Sequence, residues 1–216
     1  MRAYKFLHAG RVGPFSGYAW PEGEWVDAHG PLELCRTGIH ACRLEQLAHW
    51  LADELWLVQL DGNVVEAELQ VLAPRGKLLE RVIAWDEAAR AELAAECVRR
   101  TASFAAAELR EHGLDAHADA LLAAPVDEIA ASADAAEEAA REAIGGGDAV
   151  ALAGYVADAA AWAERGHAPG VAFIAAHAAD VHAPPGVDDP FAAERAEQSR
   201  WLVSRLGLSE LSADGA

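Results

Sequence analysis

A chain of 216 residues, 53% hydrophobic and 24% charged, is long enough to bury a sizeable core and has the charge content of an ordinary folded protein. Its formal net charge of −18 repels phosphate backbones and argues against nucleic acid as a partner, and no apolar run approaches the length of a membrane span. The opening MRAYKFLHAGRVGPF has no long apolar stretch before a small-residue cleavage site, so no secretory signal is expected and the expected location is the cytoplasm.

In chain order, Tyr4–Leu7 reads as a first strand, followed by a loop rich in glycine and aromatic residues from Gly10 to Trp25. Trp25-Val26 and Leu32–Leu34 read as short strands flanking a turn at His29-Gly30-Pro31. Residues 38–42 read as extended chain leading into a helix from Leu44 to Leu55, where Leu44, Leu47, Ala48 and Leu51 share one face. Trp56–Leu60 is a predicted strand, Asp61-Gly62-Asn63 a turn, residues 65–71 an alternating strand, and 78–84 another. Five of the seven tryptophans fall within residues 1–85, which implies a dense core or an aromatic pocket.

From Trp85 the pattern turns helical. Asp86 reads as the N-cap of a helix running to Glu111 and closed at His112-Gly113. Further helices are predicted at 115–124, 126–143, 149–165, 169–182 and 189–206, with Gly145-Gly146-Gly147 ending the third and Pro184-Pro185-Gly186 breaking the chain before the last. The expected fold is α+β: a small mixed or antiparallel sheet with one helix over residues 1–84, then an alanine-rich helical bundle over 85–216 packed on it. The acidity is uneven. Residues 1–83 carry eight basic against eleven acidic side chains, the remainder nine against twenty-four. Arginine outnumbers lysine fifteen to two, which with the alanines suggests a GC-rich bacterial genome.

Chemistry-bearing residues concentrate in two stretches. In Cys35-Arg36-Thr37-Gly38-Ile39-His40-Ala41-Cys42, an extended backbone points His40 and Cys42 to one face and Ile39 and Ala41 to the other. Cys35, His40 and Cys42 supply three ligands of kinds that zinc accepts, but a structural site needs a fourth ligand, so no metal is expected; a Cys–His nucleophilic pair and simple burial are the other readings. In His177-Ala-Ala-Asp180-Val181-His182, helical spacing sets His177 on an inward stripe with Phe173, Ile174, Ala178 and Val181, and Asp180 beside it. His40, His177 and Asp180 are therefore the candidate catalytic groups. His8, Tyr18, Trp20, Trp25 and Cys42 are the candidate ligand-binding groups, since loops held by a sheet often bind ligands and these rings offer flat apolar surface.

The order of a strand ending in His8, a glycine-aromatic loop, then Cys-x-x-Gly-Ile-His-Ala-Cys and a helix resembles an uncharacterised domain of phage and bacterial proteins, over about residues 3–83 and chiefly through Gly38, His40 and Ala41. That resemblance implies no activity. More distantly, Gly38–Cys42, a helix and Leu55–Leu60 are similar in order to an ADP-ribosyltransferase core, which would give His8 the first-strand position and Glu80 the catalytic carboxylate. The C-terminal helices, including Glu194-Arg195 and Gln198–Leu202, resemble alanine-rich bacterial putative immunity proteins. The expected function is a cofactor-free enzyme converting a small molecule by histidine acid/base chemistry in a pocket between sheet and helices. The alternative is a non-enzymatic or immunity-like protein that binds a protein partner.

Overall fold

The computed structural model describes residues 1–183 and 186–209. The alternation seen in the first strand has a direct outcome. In β1, Arg2–Leu7, Ala3 and Leu7 face one side and Tyr4 and Phe6 the other, and all four are buried. Strands β2 (Trp25–Asp27), β3 (Ile39–Ala41), β4 (Glu54–Asp61), β5 (Val65–Glu66), β6 (Val71–Ala73) and β7 (Arg75–Arg81) complete the β part. One sheet has the order β1-β4-β7-β2 and a second the order β3-β6-β5, with all strand pairs antiparallel.

A two-way backbone bridge links the sheets: Tyr4 N–H donates to the Cys42 carbonyl at 2.8 Å and Cys42 N–H to the Tyr4 carbonyl at 2.7 Å. Between the sheets lies one core. Ala3 and Leu7 of β1, Trp56, Val58 and Leu60 of β4, Leu78 of β7, Ile39 and Ala41 of β3, and Val71 and Ala73 of β6 meet there with Trp20. On the outer face of β1, Phe6 meets Trp85 edge-on at 5.8 Å, and the Trp85 indole donates to the Ala52 carbonyl at 2.9 Å.

Three local expectations differ from the structure. The segment expected as a helix over 44–55 is a 3₁₀ helix, Leu44–His49. Gln46 Oε1 accepts the Arg43 N–H at 2.8 Å while its amide donates to the Ala67 and Glu68 carbonyls, and the Trp50 indole donates to the Leu69 carbonyl at 2.5 Å. Those bonds spend the polar groups on a neighbouring loop, and Glu54 and Leu55 are drawn into β4 opposite Leu7 and Phe6. Leu32–Leu34 is not a strand of either sheet: Glu33 forms an isolated bridge with Thr37 that closes a turn at residues 34–36. Residues 65–71 are two short strands joined by a turn in which Ala67 N–H donates to the Gln70 carbonyl at 2.9 Å.

The helices are α1 (Glu87–Glu111), α2 (Asp115–Ala123), α3 (Ile129–Ile144), α4 (Asp148–Glu164), α5 (Ala168–His182) and α6 (Pro190–Leu206). Asp86 caps α1 as the sequence predicts, accepting the Ala89 N–H at 2.8 Å. Gly145 ends α3 in the left-handed region, φ 78°, which a residue with a Cβ adopts only at a cost. Pro184 and Pro185 of the expected chain break lie outside the described residues. No helix among the described residues is long and apolar enough to cross a membrane. The class is α+β, with antiparallel strands followed by a helical bundle.

Contacts group the chain into two compact units: Met1–Ala89 with the described residues from Ser199, and Arg90–Gln198. The expected boundary at 84/85 thus falls just before α1, whereas the units divide within α1 and again within α6. In the second unit alanines make the helix contacts. Ala133, Ala136 and Ala140 of α3, Ala149 and Ala153 of α4, and Ala172 and Ala175 of α5 are fully buried, and small side chains let helix axes approach closely. Polar side chains are buried here too, and Glu194 of α6, almost fully enclosed, takes bonds of 2.8 and 3.0 Å from Arg100 Nε, 2.5 Å from Arg100 Nη2 and 3.1 Å from Gln198. The carboxylate beside it raises the Arg100 pKa.

Two stability tests follow. A Cβ at Gly76 would stand 2.5 Å from Ile39 Cγ2, so Gly76→Ala should cost about 1–3 kcal/mol by overpacking, and less in an Ile39→Ala background, as read from urea denaturation. Glu194→Ala removes the acceptor shared by the half-buried Arg100 guanidinium and the buried Gln198 amide and should cost about 1–3 kcal/mol in the same measurement.

Candidate functional site

β1 ends at Leu7, and the chain turns into a small hairpin. His8 and Val12 exchange backbone bonds at 2.8 and 3.2 Å, Gly13 N–H donates to the Tyr18 carbonyl at 2.9 Å, and Trp20 N–H to the Arg11 carbonyl at 3.0 Å. Gly10 takes φ 76° and Arg11 φ 62°, so the turn after His8 runs through two left-handed residues. The base of this hairpin is held by two adjacent carboxylates at the start of β4. Asp53 Oδ2 accepts the Ala9 N–H at 3.0 Å and lies 3.3 Å from His8 Nδ1. Glu54, 7% exposed, accepts the Gly10 N–H at 3.1 Å through one oxygen and the Trp56 indole N–H at 2.9 Å through the other. Arg81 Nη1 stands 3.7 Å from the same group. His8 and Asp53 side chains are 54% and 53% exposed. Their geometry is fixed from the backbone while the imidazole remains open to solvent.

The other candidate residues of this unit have different surroundings. Trp20 belongs to the core between the sheets, with Tyr18, half exposed, edge-on to it at 5.9 Å. Trp25 lies under Arg75 and Lys77, each 5.0 Å from its ring centre. His40 is half-buried; its Nε2 is enclosed with no hydrogen-bond partner. Burial and then the Lys5 charge lower its pKa, against an opposing hydrogen bond to the Gly38 backbone. Cys42 Sγ donates to the Tyr4 carbonyl at 3.4 Å, and burial pushes its thiol up to about 12, so it is a protonated thiol at neutral pH. Cys35 is exposed and accepts the Gln70 amide at 3.4 Å. Among the described residues no group of three or more His, Cys, Asp and Glu side chains could hold a metal ion. Glu80 lines a cleft of about 270 Å³ with Tyr4, Leu57, Arg81, Ile83 and Leu208; His8 is not among the lining residues.

His177 and Asp180 belong to the Arg90–Gln198 unit. The expected inward stripe through Phe173 and His177 differs from what α5 buries, which is Ala168, Val171, Ala172, Ala175, Ala176, Ala178 and Ala179. Phe173 is 49% exposed and Asp180 is exposed. His177 instead packs against rings, 4.4 Å from Phe173 and 5.2 Å from Phe191, and the Arg195 guanidinium covers both phenyl groups at 5.7 and 5.5 Å. Close alanine packing takes the inward positions, which turns the bulky rings to the rim of the helix.

Two groups that sequence reasoning passed over prove central to the first unit. Asp53 gave no signal, because only the fold brings it to His8. Lys5 did: it shares the inward face of β1 with Ala3 and Leu7 and sits opposite Trp56. Its ammonium donates to the His40 carbonyl at 2.6 Å and lies 4.9 Å from the Trp20 ring centre. Burial lowers its pKa to about 8, against a weaker opposing effect of Cys42. Set against family models, curated proteins and solved structures, the chain matches none.

The Lys5 pKa makes stability depend on pH with a definite sign. Between pH 8 and the ordinary lysine value of 10.5 the unfolded chain binds the proton that the folded chain has released, so this group contributes increasing stability as pH rises through that window. Cys42 acts oppositely between its ordinary 9 and about 12, but it is common to wild type and variant. Relative to Lys5→Met, the wild type should therefore gain melting temperature between pH 7 and pH 10.

Proposed function

We propose that the Met1–Ala89 unit converts a small molecule by acid/base catalysis at His8, with Asp53 as the group that orients it. The observation that carries this reading is the 3.3 Å contact of His8 Nδ1 with an Asp53 oxygen that the Ala9 N–H already holds. A carboxylate at Nδ1 selects the tautomer protonated there, which leaves the Nε2 lone pair to accept a proton from water or a substrate hydroxyl. The imidazolium so formed is stabilised by the same carboxylate and returns the proton to a leaving group. Access favours His8 over His40, whose enclosed Nε2 exchanges no proton with a dissolved substrate in this arrangement. The glycine-aromatic hairpin that begins at His8 supplies the adjoining surface, with Tyr18 and Phe15 exposed on it. Cytoplasmic action on a small, non-nucleic-acid ligand agrees with the acidity of the chain.

One observation favours a second reading, a binding module for a protein partner. Phe15, 88% exposed at the hairpin tip, meets only the edge of the Trp50 ring, at 6.1 Å, among the ring contacts described, and an exposed aromatic tip suits an interface.

Hydrolysis of p-nitrophenyl acetate, a probe for an available imidazole lone pair, separates the two. Under the catalytic reading His8→Ala should lower the protein-dependent rate about tenfold or more and Asp53→Asn by a smaller factor, while His29→Ala leaves it unchanged. Both site variants should melt close to the wild type, because an exposed pair contributes about 0–1 kcal/mol. Equal rates for wild type and a folded His8→Ala variant would refute the catalytic reading.

A further inference from the structure

Lys5 is one of only two lysines in a chain of net charge −18, yet among the described residues no carboxylate forms an ion pair with it. Its neighbours are of another kind. On the inward face of β1 it lies between Ala3 and Leu7 and opposite Trp56, and its nitrogen meets the Trp20 ring and a single backbone carbonyl, that of His40. The residue is not sealed off, since it keeps part of its surface exposed.

We propose that the Lys5 amine is a covalent acceptor for small, uncharged aldehydes, which it captures as imines. This goes beyond the acid/base reading and stands on different atoms.

The geometry supports each part of the reaction. A neutral amine has two N–H bonds and one lone pair. Donation of one N–H to the His40 carbonyl at 2.6 Å fixes the nitrogen and leaves the lone pair free. That pair attacks the carbonyl carbon of the aldehyde, and the carbonyl π electrons move to oxygen. The carbinolamine then loses its oxygen as water, which carries away both amine protons, and a C=N bond replaces C=O. One amine and one aldehyde give one imine and one water, with no oxidant or reductant consumed. The surroundings select the substrate class: the buried neighbours Ala3, Leu7, Trp20 and Trp56 offer no cation to a carboxylate or phosphate, so a small, uncharged aldehyde reaching the amine from its exposed side is the species that loses least on approach. Burial, with no carboxylate ion pair to offset it, lets the amine shed its proton near neutral pH. With a pKa of about 8, its neutral fraction at pH 7.5 exceeds that of an ordinary lysine by on the order of a hundredfold.

The test treats the full chain with butanal and sodium cyanoborohydride at pH 7.5, which converts each imine to a stable butyl amine, and maps the adducts by mass spectrometry after trypsin digestion. The Met1 α-amine is read on the Met1–Arg2 peptide, separately from Lys5 on Ala3–Arg11. Lys5 should be modified about tenfold or more faster than Lys77, which lies over Trp25 and serves as the internal reference. Its rate should rise with pH to a plateau above about 8, the preference should vanish in concentrated urea, and Lys5→Arg should abolish the fast phase with its circular dichroism unchanged. His8→Ala should leave the labelling as it is, so loss of ester hydrolysis and loss of aldehyde capture report on separate sites. Labelling of Lys77 as fast as Lys5, or of Lys5 only in urea, would overturn the proposal.

Discussion

The first unit depends on one pair of hydrogen bonds, those exchanged by the backbones of Tyr4 and Cys42. β1 is the edge strand of one sheet and β3 of the other, so without this bridge each sheet would present an open row of donors and acceptors. With it, the two inward faces close on a common core. The residues flanking the bridge inherit their positions from it: Lys5 follows Tyr4, His40 precedes Cys42 by two, and the lysine reaches across to the histidine carbonyl. Cys42 is buried because it sits in the bridge. Its raised pKa is a by-product of structure and removes it from nucleophilic chemistry.

The base of the hairpin shows a different economy. Asp53 and Glu54 are consecutive residues and therefore point to opposite sides of the chain, yet both accept backbone N–H groups of the turn that follows β1, at Ala9 and Gly10. A turn through two residues of positive φ needs such anchoring, since a bulky residue like Arg11 enters that region at a cost. Glu54 is enclosed and also receives the Trp56 indole, so it fixes position; Asp53 is exposed and has an oxygen to share with His8. Neighbouring carboxylates thus divide into an anchor and an orienting group by depth alone.

Much of the fold was legible because it follows from periodicity. Alternation in β1 and β4, the Asp86 cap and the glycine after α3 appear where the sequence places them, and the helix boundaries agree within a few residues. The segment after Arg43 was not, because its helical spacing is real but its polar side chains are committed to the loop at Ala67–Leu69, a contact no local pattern reveals. The α5 stripe misled for a related reason: hydrophobicity ranks phenylalanine above alanine, whereas close helix packing buries the smaller residue. Of the site, the alternation that makes Lys5 inward was present in the sequence, but the partnership of His8 with Asp53 exists only once β1 and β4 pair.

Ser199 gives the last consequence. Its hydroxyl accepts the Ala48 N–H at 3.0 Å in a buried position, across 151 residues of chain, and the unit built on the sheets takes in the residues from Ser199 as well as the first 89. Chains emerge from the ribosome from the N-terminus at a few to some tens of residues per second. The strands are therefore available for pairing well before α6 exists, and the bond from Ala48 to Ser199 forms only after more than a hundred further residues have been made. Completion of the N-terminal unit therefore waits on a residue made 151 positions after the donor it caps.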